Sequence, residues 1–140
     1  MSAPLHLGVP AELTAIDEAR TWAAAHARAA GFDDEALVDL ELAMTEAMSN
    51  VIRHGYGEAG GGIIDVEVAV DGERLEVRIL DSAPTFHAAD VAPRDLDEVS
   101  EGGYGLSLIV QVMDEVHRAP RPHGGNALTL IKLRKGAQNG

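Results

Sequence analysis

No cysteine occurs in the 140 residues, so the chain can build neither a disulfide framework nor a thiolate metal site. Aromatic residues are scarce, 4% against 46% hydrophobic overall, and the core has to be assembled from Leu, Val, Ile, Ala and Met rather than from stacked rings. Basic residues are few as well. Eleven Lys and Arg face 23 Asp and Glu, for a formal net charge of -12, which disfavours a nucleic-acid partner because affinity for phosphate backbones depends on Lys and Arg. No apolar run is long enough to cross a bilayer, and the opening MSAPLHLGVP lacks the basic-then-apolar layout of a secretion signal. The chain therefore reads as cytoplasmic, with no membrane and no nucleic-acid partner. A protein this acidic that handles an anionic ligand must neutralise it locally, through backbone N–H groups, a helix N-terminus or a metal ion.

What is present suits a single domain, residues 1–140, long enough for one core. Leu13, Ile16, Ala19 or Arg20, Ala23 and Ala27 recur near helical spacing between Pro10 and Ala30, and Gly31 stops the pattern. Phe32 and Leu37 flank Asp33 as a hydrophobic staple flanks an N-cap, which predicts a second helix from about Asp34 to Arg53 or His54, ended by Gly55 and Gly57. IIDVEVAV alternates, with Ile64, Val66, Val68 and Val70 inward. After the turn signal Asp71-Gly72, ERLEVRILD alternates again with Leu75, Val77 and Ile79 inward, which predicts a β-hairpin. Residues 82–103 show no period, and an irregular run of that length inside a compact domain is usually functional or mobile. From Gly105 onward, Leu108, Ile109, Val112, Met113 and Val116 predict a third helix. NALTLIKL predicts a closing strand and LHLGV a short opening one. The expected fold is a two-layer α/β sandwich: a mixed, mostly antiparallel sheet covered on one face by three helices.

Three places carry chemistry. Glu46, Asn50 and His54 stand at steps of four, a narrow polar stripe with Arg53 beside it, on a helix otherwise rich in Leu, Met, Val and Ala. Such a stripe is either a solvated helix edge or a site in which the Asn50 carbonyl oxygen meets a hard cation while Glu46 serves as a general base. The inward row Leu75, Val77, Ile79 continues to Asp81, so a carboxylate points to the apolar side, where it needs hydrogen bonds, nearby solvent or a donating ligand. If Lys132 faces out, then Ala127, Thr129, Ile131 and Leu133 share the inward face, and the Thr129 hydroxyl wants a partner there. Finally, EGGYGLSLI places three glycines at a helix opening. This is either a plain loop-to-helix junction or a backbone cradle for phosphate. The P-loop lysine and the dinucleotide fingerprint are both absent.

Together and in this order, TEAMSNVIRHGY, LDSAPTF and EGGYGLSLI resemble the N, G1 and G2 boxes of the ATP-binding (Bergerat) fold shared by gyrase, histidine kinases and MutL. Length and the closing GGNALTLIKL are most similar to the anti-sigma-factor serine kinases, over about Asp33 to Leu133. The resemblance implies ATP and Mg²⁺ as cofactors. It makes Glu46 the catalytic carboxylate, Asn50 the Mg²⁺ ligand and Asp81 the acceptor for the adenine amino group. Gly103, Gly105 and Leu106 fall in the phosphate loop, flanked by Gly102 and Tyr104. Arg53, His54, Ala83, Phe86 and Thr129 fall elsewhere in the nucleotide site, and 82–103 becomes a lid. Ala83 and Thr85 stand where the G1 pattern usually has glycine. The implied partners are a sigma factor, a STAS-type anti-anti-sigma protein and a second copy in a homodimer. The alternative is a regulatory ATP-binding module that acts by contact with little turnover.

Overall fold

A computed structural model describes residues 4–56, 62–82, 106–122 and 124–134. Strand β1 (Leu5–Pro10) leads through one 3-10 turn (Leu13–Ala15) into helix α1 (Ile16–Ala29). Ile16, Ala19, Ala23 and Ala27 form its buried stripe, and the three alanines let α1 lie close against its neighbour. Helix α2 (Asp34–Asn50) starts where the cap predicts. Asp33 is extended, its carboxylate accepts the Ala36 N–H at 2.9 Å, and Phe32 and Leu37 are both buried beside it. Beyond Asn50 the chain continues as a π-helix, Val51–Tyr56. Hydrogen bonds there close at i→i+5, a wider turn than that of α2.

Strands β2 (Ile63–Val70) and β3 (Arg74–Asp81) form the predicted hairpin, followed by helix α3 (Leu106–Val112), strand β4 (Glu115–Pro120) and strand β5 (Asn126–Leu133). The five strands lie in the order β1-β2-β3-β5-β4, and all four pairings are antiparallel. Ile64, Val66, Val68, Leu75, Val77, Ile79 and Leu130 pack under Leu40, Met44, Met48 and Ile109 in one continuous core. That is the two-layer α/β sandwich read from the sequence.

Three details differ from expectation. The sheet, expected to be mixed, is antiparallel throughout its described strands, because each neighbouring pair runs in opposite directions. The third helix stops at Val112, and Val116 belongs to β4, because the Asp114 N–H already bonds the Ile131 carbonyl at 2.9 Å and the chain is drawn into the sheet. Strand β5 also faces the opposite way from the reading that put Lys132 outside. Lys132 pairs with Leu75 and Leu130 with Val77, so Asn126, Leu128, Leu130 and Lys132 face the helices. Thr129 pairs with Arg78 and His117 on the outer face, which removes it from the side of the sheet that Asp81 occupies.

The β2–β3 turn is held by the Asp71 carboxylate, which accepts the N–H groups of Glu73 at 2.8 Å and Arg74 at 2.9 Å. These bonds, Glu73 first, hold its pKa below the ordinary 3.8. A carboxylate with a depressed folded pKa stabilises the fold fully above its unfolded value, and that contribution fades as pH falls through the lower folded value. Asp71→Ala is therefore expected to lower the melting temperature at pH 7, with the gap to wild type closing below about pH 4 in thermal melts.

Candidate functional site

Among the described residues Asp81 is the one charged side chain that is buried, 3% exposed. It closes the inward row of β3, as strand parity predicts, and the β4–β5 connection is fastened around it. The Arg121 guanidinium donates to the Asp81 backbone carbonyl at 2.8 Å. Arg121 N–H also bonds the Gly125 carbonyl, and Gly124 N–H bonds that of Arg121, closing a turn whose two glycines both have positive φ. Gly125 approaches β3 so closely that a Cβ would lie 2.0 Å from the Asp81 carbonyl oxygen. Asn126 faces Asp81 across the ladder, with its Nδ2 3.4 Å from Oδ1. A buried carboxylate has its acceptor capacity met by hydrogen bonds within the protein or from a donating ligand.

Glu46 and Asn50 both lie on the C-terminal half of α2 and are half-buried, neither sealed in the core nor fully in solvent. Arg53 is exposed on the π-helix, and His54 has only its backbone described. The amide oxygen of Asn50 and the carboxylate of Glu46 are hard oxygen donors, a set that suits Mg²⁺ carried on a nucleotide's phosphates, since that ion takes few protein ligands and keeps waters and phosphate oxygens. Leu106 opens α3. Ala83, Thr85, Phe86, Gly102, Gly103, Tyr104 and Gly105, and with them the proposed lid, lie outside the described residues.

Arg121, Gly125 and Asn126 are the residues around Asp81 that sequence reading missed. The signal was present in GGN, a glycine pair directly before a strand, but its meaning depends on β5 lying beside β3. Thr129 is replaced by Asn126 as the β5 side chain next to Asp81.

A sequence profile described as the histidine kinase-like ATPase domain matches residues 9–132. The serine-protein kinase RsbW of Bacillus subtilis is 29% identical over 140 residues, spanning 94% of this chain and 86% of the relative. RsbW of Listeria monocytogenes is 34% identical over 118 residues, spanning 79% of this chain and 75% of the relative. A crystal structure of the RsbU and RsbW domains of a Mycobacterium tuberculosis protein superposes with a TM-score of 0.68 at 21% identity, over 94% of this chain and 33% of that one, and so attests the fold. The chain belongs to the histidine kinase-like ATPase family and, within it, to the group of the RsbW serine-protein kinases. No described helix is long and apolar enough to cross a membrane.

Proposed function

We propose that this protein is an ATP-dependent serine/threonine protein kinase that also acts as an anti-sigma factor, binding a sigma factor and phosphorylating a STAS-type anti-anti-sigma protein as a homodimer. The observation that carries the reading is the buried Asp81 at the helix-facing end of β3 in a chain of this family. Asp81 accepts a hydrogen bond from the exocyclic amino group of adenine, and Arg121, Gly125 and Asn126 keep its strand end in place. Asn50 would hold Mg²⁺ through its carbonyl oxygen, and that ion would supply charge neutralisation for the phosphates. Glu46, one helical turn away, takes the proton of the partner's serine or threonine hydroxyl as its oxygen bonds to the γ-phosphorus and ADP departs.

The test is incubation with ATP, Mg²⁺ and a STAS-type protein. The expected result is labelled phosphate on a serine or threonine of that protein, and the reading fails if neither transfer nor a nucleotide-dependent complex forms. Asn50→Ala is expected to weaken ATP binding in the presence of Mg²⁺ and to leave binding in EDTA nearly unchanged, as read by calorimetry. A second reading, a contact regulator with little turnover, is favoured by Ala83 and Thr85 at the usual glycine positions. Partner binding without any ATP binding at millimolar concentration would select it.

A further inference from the structure

Lys132 occupies an unexpected place. It stands in the helix-facing row of β5 after Leu128 and Leu130, opposite the fully buried Leu75, with its own side chain 11% exposed. Its ammonium donates to Asp39 Oδ2 at 2.8 Å and also to the Val112 carbonyl, the last residue of α3. One cation therefore joins β5, α2 and the C-terminal end of α3, where a positive charge also complements the helix dipole. From this shared anchor α2 runs on from Asp39 to Asn50, about 16 Å of helix, and α3 runs back from Val112 to Leu106, about 9 Å. The two helices pack against each other. From this ammonium α2 leads to Glu46 and Asn50, and α3 leads back to Leu106, the residue that follows Gly105 in the sequence.

Stability alone is a poor account of such a group. Asp39 keeps 25% of its side chain exposed, ion pairs reached by solvent contribute little, and the preceding inward positions of β5 are the leucines Leu128 and Leu130. What an ion pair with a shared carbonyl adds over a leucine is direction, since it fixes the spacing of α2 and α3 to hydrogen-bond tolerance. We infer that Lys132, with Asp39, is a positioning residue that sets the separation of the helix bearing Glu46 and Asn50 from the helix that follows the phosphate loop, and so governs affinity for ATP. The inference rests on the nucleotide-binding reading above.

The experiment compares wild type, Lys132→Arg, Lys132→Met and the double variant Asp39→Leu with Lys132→Met, by thermal melts, calorimetry with ATP and Mg²⁺, and steady-state phosphate transfer. The double variant is expected to melt at or above the wild-type temperature while its Kd and KM for ATP rise about tenfold, a displacement smaller than the roughly hundredfold loss that a 1 Å misplacement can cause. Its kcat at saturating ATP is expected to change much less. Lys132→Met alone leaves the Asp39 charge without its partner and is expected to lose stability as well as affinity, whereas Lys132→Arg, which keeps the charge, recovers most of the affinity. A double variant that binds ATP as wild type does, or one whose affinity falls only in step with its melting temperature, overturns the positioning role and makes Lys132 a purely structural staple. Wild-type protein that binds no ATP overturns the nucleotide reading itself, an outcome distinguishable from the first.

Discussion

Replacing Glu46 by Gln is expected to abolish phosphate transfer while ATP still binds. Glutamine fills the same volume and keeps one oxygen as an acceptor, but it cannot take up the proton that the attacking hydroxyl must shed. Removing a positioned general base costs roughly 10²- to 10⁴-fold in rate. Glu46 is half-buried on the C-terminal half of α2, in a helix whose buried face is already filled by Met44, Ala47 and Met48, so the substitution disturbs no packing. Single-turnover transfer to the STAS-type protein and calorimetry with ATP separate the two effects. Loss of ATP binding in this variant would contradict the role given to Glu46.

Gly125→Ala should be the most damaging change of a single methyl group in the described chain. With φ at 93° the backbone there suits glycine, and the new Cβ would meet the Asp81 carbonyl oxygen at 2.0 Å, a backbone atom that cannot swing aside. Overpacking and backbone strain each cost about 1–3 kcal/mol, so a combined loss of about 2–6 kcal/mol is expected, a drop in melting temperature on the order of 10 °C. The end of β3 and the turn 121–125 must part, so ATP affinity falls as well. Gly124→Ala is the control, because its φ of 102° carries the same conformational demand while nothing lies within 4 Å of the added carbon. That variant should lose some stability and keep its nucleotide affinity. Equal affinity losses in the two variants would show that the contact with Asp81 is not what matters.

The parts of the fold that were legible in the sequence are those fixed by local physics. Asp33 with Phe32 and Leu37 marked the start of α2, and Asp71-Gly72 with the two alternating runs marked the hairpin. Parity alone carried Asp81 to the buried side, because β3 keeps its alternation to its last residue. What was not legible depended on neighbours far away in sequence. Strand β4 is an exposed edge ending in Pro120, with little apolar alternation to announce it, and it forms because β5 offers a hydrogen-bonding edge. The facing of β5 was inverted by the premise that a lysine belongs in solvent. Asp39 and the Val112 carbonyl, on two other elements, supply the partners that let Lys132 turn inward. With that reversal Thr129 moves to the outer face of the sheet and Asn126 comes beside Asp81.

The order β1-β2-β3-β5-β4 has a consequence for how the molecule is made. The strand translated last among those described lies between β3 and β4, so a nascent chain on the ribosome carries a three-stranded sheet with a bare edge until residues 126–133 emerge. Asp81 sits at the end of that bare edge strand. Synthesis that halts short of Asn126 would therefore leave an open template for misassociation and the Asp81 strand end without its neighbour, which couples completion of the sheet to completion of the polypeptide.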